Sequence, residues 1–289
     1  MDTLRSPAIE IALRLRLDEW EKTLESVDTA YADVQWRRHL GQMNGDALVS
    51  LEDARSQVLL DGRTRSMLNH WENRTRDPQL AGRVRGSLHR LRWAEIESQR
   101  PVYELRNRVD QAISNNRPSV NGLAISRVER SHILRSHPDR DHRREAWLAM
   151  GSLDDRIGED VRQLLGLRQE LARQQGYGGF VSWALDSFGL DGQWVEDFFA
   201  ELRRQTDRPY RAWLAETAER LALEDGVRPW DLAFAAEQEL TLPEAAFPRN
   251  RALSAVRQVA NGLGLGEAAA GVRVDLADIP YAALCYPVH

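Results

Sequence analysis

Apolar residues recur at the spacing of an α-helix through most of this chain, and that periodicity limits the folds available to it. Side chains three and four residues apart lie on one face of a helix, so such a stripe predicts a helix with one buried face. One stripe within segment 159–175 contains Val161, Leu164, Leu165, Leu171 and Ala172. Gly176 follows this segment, where a helix C-terminal cap is expected.

The same pattern predicts further helices, separated by Gly, Pro or Asn residues that act as breaks. We expect these helices across 8–25, 28–40, 46–60, 62–76, 78–114, 127–150, 193–206, 210–221, 230–240 and 249–263. The helix over 193–206 is expected to bury Trp194, Val195, Phe198, Phe199 and Leu202.

Two segments depart from the helical pattern. Residues 117–126 carry an Asn121-Gly122 turn between short apolar stretches, which predicts a small hairpin or loop. The last 18 residues contain closely spaced Val, Leu, Ile and Tyr residues, which predicts one or two strands. The predicted fold class is therefore mainly α, with many helices and a short β segment at the C-terminus.

Charge and composition exclude several classes of protein. The chain has 289 residues, with 39 basic and 44 acidic side chains and a net charge of −5, which argues against non-specific nucleic-acid binding. Arginine clusters at 83–92 and 140–144 lie beside acidic residues and predict solvated helix faces; a nucleic-acid-binding protein would need affinity that falls steeply with salt. No apolar run reaches membrane-spanning length, and the lone Cys285 cannot form an internal disulfide. We expect a cytoplasmic protein with no nucleic-acid partner and no membrane contact.

Residue patterns that carry chemistry are scarce. His132, His137 and His142 are spaced five apart, which turns each by about 140° from the last on a helix, so they do not share a face. No His-Glu-x-x-His occurs. Cys285 lies in an apolar pattern typical of a core residue, and the glycines of 262–266 follow a helical pattern, so a helix end is expected there. These patterns predict no catalytic residue and no metal ligand.

Several segments together carry a family resemblance. They are Arg143-Arg144-Glu145-Ala146-Trp147-Leu148-Ala149 after Asp139-Arg140-Asp141, then 167–177 (LRQELARQQGY), Arg208-Pro209-Tyr210, Pro229-Trp230-Asp231-Leu232 and 281–287 (YAALCYP). In this order they resemble the non-catalytic, N-terminal half of helical zinc oligopeptidases of the thimet-oligopeptidase and oligoendopeptidase F type, with their angiotensin-converting-enzyme-like relatives. The resemblance covers roughly 120–289. This chain has Gln169 where such enzymes often carry asparagine.

The resemblance implies a lobe of a two-lobed channel peptidase that hydrolyses short peptides. In that family a His-Glu-x-x-His helix and a downstream glutamate hold zinc. This chain ends before the place where that helix should come, so it is expected to be catalytically incomplete. Zinc is expected only in a full-length family member. By the same resemblance Ala282, Ala283 and Leu284 match a strand edge that binds the substrate backbone.

The sequence predicts two regions along the chain. Residues 1–115 fit a generic N-terminal helical region, and residues 116–289 carry the lobe that resembles the peptidases, ending in an incomplete strand region. The alternative is a non-catalytic helical protein related to such peptidases that binds peptides or a partner chain. The sequence leaves the oligomeric state open.

Overall fold

The computed structural model describes residues 7–39, 46–239 and 248–272, and these residues are mainly α-helical, as predicted. The helices are α1 (Pro7–His39), α2 (Asp46–Leu59), α3 (Gly62–Trp71), α4 (Pro78–Glu97), α5 (Arg100–Asn115), α6 (Arg127–Ser136), α7 (Arg140–Leu148), α8 (Gly151–Gln174), α9 (Phe180–Ser187), α10 (Gly192–Arg220), α11 (Pro229–Glu239), α12 (Ala252–Gly262) and α13 (Gly266–Ala270). A 3₁₀ helix, Arg249–Arg251, precedes α12. None of the helices described here is long and apolar enough to cross a membrane.

The predicted hairpin is present. Strands β1 (Ser119–Val120) and β2 (Leu123–Ala124) pair antiparallel, with Val120 opposite Leu123. Asn121 and Gly122 both have positive φ angles, of 51° and 76°, which is the backbone that a two-residue type I′ turn requires. The strands expected near the C-terminus lie outside the described residues.

Proline decides where two predicted helices divide. The segment 78–114 forms α4 and α5, because Pro101 lies in the first turn of α5, where its missing N–H costs nothing. The segment 127–150 divides at Pro138, and the side chain of Asp139 then caps α7 by accepting from the backbone N–H of Asp141 at 2.9 Å. The prediction of a single helix over 78–114 was wrong, whereas the division at Pro138 agrees with the expectation that this proline interrupts the helical pattern of 127–150.

Two other pairs of predicted helices are continuous. Segments 8–25 and 28–40 form α1, and segments 193–206 and 210–221 form α10 with Pro209 inside it. Pro209 cannot donate to the carbonyl of Gln205, but both residues are exposed, so water can bond that carbonyl. The helix continues through Pro209 to Arg220.

The chain divides into two compact units. Unit 1 contains the described residues of 1–116 and 151–210, and unit 2 contains those of 117–150 and 211–282. The predicted division into regions 1–115 and 116–289 stays a prediction.

Each unit has its own apolar core. In unit 1, the first cluster joins α1 to α4 and includes Leu13, Leu17, Trp20, Leu24, Leu68, Leu80, Val84, Leu88 and Leu91. The second cluster of unit 1 contains Ile96, Val102, Leu105, Leu164, Ala172 and Trp183. In unit 2, Val120, Leu134 and Ala146 form a smaller cluster against Trp230. Burying one such large apolar side chain stabilises the fold by about 1.5–3 kcal/mol.

One predicted apolar face is not covered among the described residues. Trp194, Phe198, Phe199 and Leu202 of α10 are 42–60% exposed, so the expectation that α10 buries them was wrong. The rings of Trp194 and Phe198 stack on each other with centroids 5.5 Å apart. Periodicity shows which residues share a face of a helix, but it does not show whether another element covers that face.

Candidate functional site

The segment 167–177 holds α8 to the rest of unit 1 through a buried ion pair. Arg168 donates from Nε and Nη2 to the two carboxylate oxygens of Glu97, both at 2.6 Å. Arg106 donates from Nη1 to Glu97 at 3.2 Å and from Nη2 to Glu52 at 2.7 Å. Glu52 and Glu97 are almost fully buried, so two arginines neutralise two desolvated carboxylates.

This charge network also affects Tyr31. Burial raises the pKa of the Tyr31 phenol to about 12, and the nearby Glu52 carboxylate adds to the rise. The network links residues of α1, α2, α4, α5 and α8, and its charges are satisfied by one another. Its geometry indicates a structural role in positioning these helices.

Gln169 fixes the start of the next helix. Its Oε1 accepts a hydrogen bond from the backbone N–H of Phe180 at 2.9 Å. At Gly179, a Cβ would lie only 2.5 Å from Nε2 of Gln169, so a larger residue at that position would displace the end of the Gln169 side chain. Gln169 therefore caps α9 across the intervening loop.

The last residues of the segment end α8. Gly176 has a φ of +86°, in the left-handed region that glycine adopts without strain, which confirms the predicted C-terminal cap. The hydroxyl of Tyr177 donates to Asp186 Oδ2 at 2.6 Å. That hydrogen bond raises the pKa of Tyr177, and burial adds to the rise.

A pocket of about 600 Å³ lies beside this segment in unit 1. Its lining includes Arg65, Asn69, Arg92, Glu95, Gln175 and Tyr177. The volume falls within the range of about 300–1,000 Å³ that is usual for ligand sites.

The lining of this pocket carries both signs of charge. Arg65 forms an ion pair with Glu95, and Arg92 lies 3.4 Å from Glu72 and 3.8 Å from Asp186. The pocket presents both hydrogen-bond donors and acceptors. Its described lining residues include no Ser, Thr, Cys or His.

In unit 2, Asp231 of the Pro229-Trp230-Asp231-Leu232 segment is the centre of a second buried cluster. Its fully buried carboxylate accepts from Arg140 Nε at 3.1 Å and Nη2 at 2.8 Å, and from Arg143 Nη2 at 3.0 Å. The backbone N–H of Arg228 donates to it at 3.0 Å. Two of the segments that carry the family resemblance, 139–149 and 229–232, therefore contact each other through this carboxylate.

Hydrogen bonds outweigh desolvation at Asp231. Burial acts to raise its pKa, but donors from Arg140, the Arg228 backbone and Arg143 hold the pKa below its usual range. The guanidinium of Arg143 also lies 4.1 Å from the ring centroid of Phe234 and donates to the carbonyl of His137 at 2.8 Å. The cluster is a structural clamp that joins α7 to α11.

The described residues do not fit a zinc site. They contain no group of three or more His, Cys, Asp or Glu side chains able to hold a metal ion. The rings of His137 and His142 lie 4.3 Å apart, but Nδ1 of His142 is 2.9 Å from Nδ2 of Asn121, which is not a zinc ligand.

The predicted substrate-binding residues Ala282, Ala283 and Leu284 lie outside the described residues, as do Cys285 and His289. The glycines near 264 do end a helix, as expected: Gly264 has a φ of +75° and follows α12.

Sequence reasoning missed the buried carboxylates. Leu88, Leu91 and Ala94 are buried on α4 at a spacing of three, and Glu97 continues that spacing. A carboxylate on a buried face needs a cationic partner, so this position was a readable signal. The partner, Arg168, lies 71 residues further along the chain and could not be identified from spacing.

These features describe a helical protein with structural ion-pair clamps and a polar pocket of ligand size. Part of the chain is similar to a known peptidase: 125 residues are 34% identical to the mitochondrial intermediate peptidase of Aspergillus niger. The alignment covers 43% of this chain but only 15% of that peptidase, so it supports a distant relationship. No family model matches the chain, and no solved structure does so either.

Proposed function

We propose that this chain is the N-terminal portion of a zinc-dependent metallopeptidase that hydrolyses short peptides, and that it is catalytically incomplete as given. The observation that carries the proposal is the partial identity with a peptidase. The resemblance of segments 139–149, 167–177 and 229–232 to helical zinc oligopeptidases is consistent with it. In this proposal zinc comes with a segment outside this chain.

The contribution of this chain is then to build one wall of a peptide-binding lobe. The Arg168–Glu97 pair and the Asp231 cluster hold the helices of each unit in place. The pocket beside Tyr177 offers polar contacts to a peptide. As part of the proposal, Ala282, Ala283 and Leu284 form an edge that pairs with the substrate backbone, and the protein acts in the cytoplasm on short peptides.

The alternative is a non-catalytic helical protein that binds peptides or a partner chain. The exposed aromatic residues of α10 favour it, because a contiguous exposed apolar patch often marks an interaction surface. Such a protein would also bind its ligand in the pocket beside Tyr177. It would not require a separate catalytic segment.

A peptidase assay of the purified 289-residue chain tests the proposal. Quenched fluorescent peptides of several lengths are incubated with the chain, with and without added zinc. We expect no zinc-dependent turnover. Turnover that a chelator abolishes and zinc restores would contradict the claim that the chain is incomplete.

Binding of the same peptides tests the pocket. Fluorescence anisotropy should show weaker binding for Arg92→Gln, which removes a cation from the pocket lining. Arg85→Gln is the matched control, since Arg85 is an exposed arginine of the same helix outside the lining. Equal affinities for both variants would exclude the pocket as the binding site.

A further inference from the structure

A second cavity in unit 1, of about 190 Å³, differs in character from the pocket beside Tyr177. Its walls include Leu24, Leu59, Trp93 and Phe188. The rings of Trp93 and Phe188 lie with centroids 4.8 Å apart, and Trp93 also stacks on Trp183 at 5.2 Å. The cavity therefore has an aromatic wall whose position is fixed by a stack of rings.

The polar lining of this cavity is basic. Arg55, His89 and Arg90 contribute to it, and none of the described residues that line it is acidic. Arg55 uses its Nε for an ion pair with Asp28 at 2.6 Å, and its Nη atoms form no further ion pair or hydrogen bond with the residues that the structure describes. A cavity with apolar walls that is lined by two arginines, and by no acidic side chain among its described lining residues, is complementary to a ligand with an apolar body and a negative charge.

His89 adds an unsatisfied polar atom. Its Nδ1 is buried and has no hydrogen-bond partner within the described part of the chain. The ring packs closely against Gly189, where a Cβ would lie 2.8 Å from Cε1 of His89, and the φ of +67° at Gly189 also favours glycine. A buried donor or acceptor without a partner is destabilising, and a bound polar group would satisfy it.

The size of the cavity restricts the ligand. A cavity of about 150 Å³ lined by apolar side chains is large enough to bind benzene. The cavity at Trp93 therefore has room for one aromatic ring and a small polar group, but not for a nucleotide or a folded segment.

We propose that this cavity binds an aromatic carboxylate, with the ring against Trp93 and Phe188 and the carboxylate near Arg55, Arg90 and His89. Two sources provide this chemistry: a free aromatic acid and the C-terminal phenylalanine of a peptide. The residues that line this cavity all lie within the described part of unit 1. The argument for the ligand uses only these residues, so it does not depend on the peptidase assignment.

Isothermal titration calorimetry of the 289-residue chain tests the charge requirement without any substitution. N-acetylphenylalanine should bind with a Kd of about 1 mM or tighter, the range expected for a ligand of about 15 non-hydrogen atoms. N-acetylphenylalanine amide has the same ring but no carboxylate, and it should bind at least about tenfold more weakly. Equal affinities for the acid and the amide, or no binding of the acid up to about 10 mM, would overturn the proposal.

Two pairs of variants locate the binding. Arg90→Gln should weaken binding of the acid several-fold, and Arg85→Gln on the same helix should leave it unchanged. Phe188→Ala should weaken it, while Val181→Ala, a change at a similarly exposed apolar residue of α9, should not. Equal effects within either pair would place the ligand elsewhere and refute the site.

Comparison of two further ligands identifies the source. If the tripeptide Gly-Gly-Phe binds more tightly than 3-phenylpropanoate, the cavity recognises a peptide C-terminus. If 3-phenylpropanoate binds at least as tightly, the ligand is a free acid. Failure of both to bind would contradict the proposal.

Discussion

Removal of the Asp231 carboxylate is the sharpest perturbation of unit 2. Asp231→Ala leaves Arg143, whose side chain is 3% exposed, without its counter-ion, and leaves Arg140 with Asp225 alone. Breaking a buried ion pair by removing one partner typically costs about 3–5 kcal/mol. Since whole domains are stable by about 5–15 kcal/mol, this variant should lose a large share of the stability of unit 2.

Hydrogen exchange measured by mass spectrometry is the suitable assay, because two units need not unfold in one transition. A loss of about 3 kcal/mol corresponds to exchange faster by about a hundredfold or more for protected amides of α6, α7 and α11. Asp225→Ala is the matched control: Asp225 pairs with the same Arg140, at 2.5 Å, but is 50% exposed. Its effect should be several-fold smaller. Equal effects of the two variants would refute the reasoning that burial makes Asp231 important.

Three further predictions concern unit 1. Arg168→Met should destabilise unit 1 by about 3–5 kcal/mol, measured by hydrogen exchange of its protected amides, because it leaves the buried Glu97 with only one cation. Gly176→Ala should cost about 1–2 kcal/mol in the same assay, since its φ is +86°, whereas Gly166→Ala within α8 should gain about 0.5–1 kcal/mol. The absorbance titration of the chain minus that of Tyr31→Phe should show a phenol that ionises near pH 12.

For each of these three predictions there is a control variant or a result that would contradict it. Arg204→Met removes an equally close pair with Glu201 on an exposed helix face and should change stability little. The glycine argument fails if both alanine variants shift stability in the same direction. A Tyr31 midpoint near pH 10, its ordinary value, would show that the phenol is neither buried nor close to Glu52.

The pKa shifts also determine how stability depends on pH. The pKa of Asp231 is lower in the folded chain than in the unfolded chain, so its contribution is present above about pH 4 and is lost as the pH falls through the folded value. The pKa of Tyr31 is raised, so its contribution is present below about pH 10 and is lost as the pH rises towards 12.

The helical fold was readable because its signals are local. The stripe of α8, the cap at Gly176 and the turn at Asn121-Gly122 each depend on residues within one or two helical turns. The effect of each proline was harder to predict. Pro138 lies at a boundary, where Asp139 caps the next helix, whereas Pro209 lies inside α10. A proline alone does not show whether a new helix can begin after it.

The candidate sites were less predictable because their contacts are distant in sequence. Asp231 meets Arg140 and Arg143 from about ninety positions away, and Glu97 meets Arg168 from 71. The family resemblance pointed to these segments, but their contacts show ion-pair clamps and caps. The packing of whole helices determines which charged side chains pair in the interior. The periodicity of the sequence does not show how the helices pack.

The intact mass of the native gene product, with its zinc content measured on the same sample, tests the central claim most directly. The account predicts a polypeptide substantially heavier than the 33.0 kDa of this chain, carrying one zinc ion per molecule. A zinc-free native product of 33.0 kDa would contradict the claim that this chain is part of a zinc peptidase.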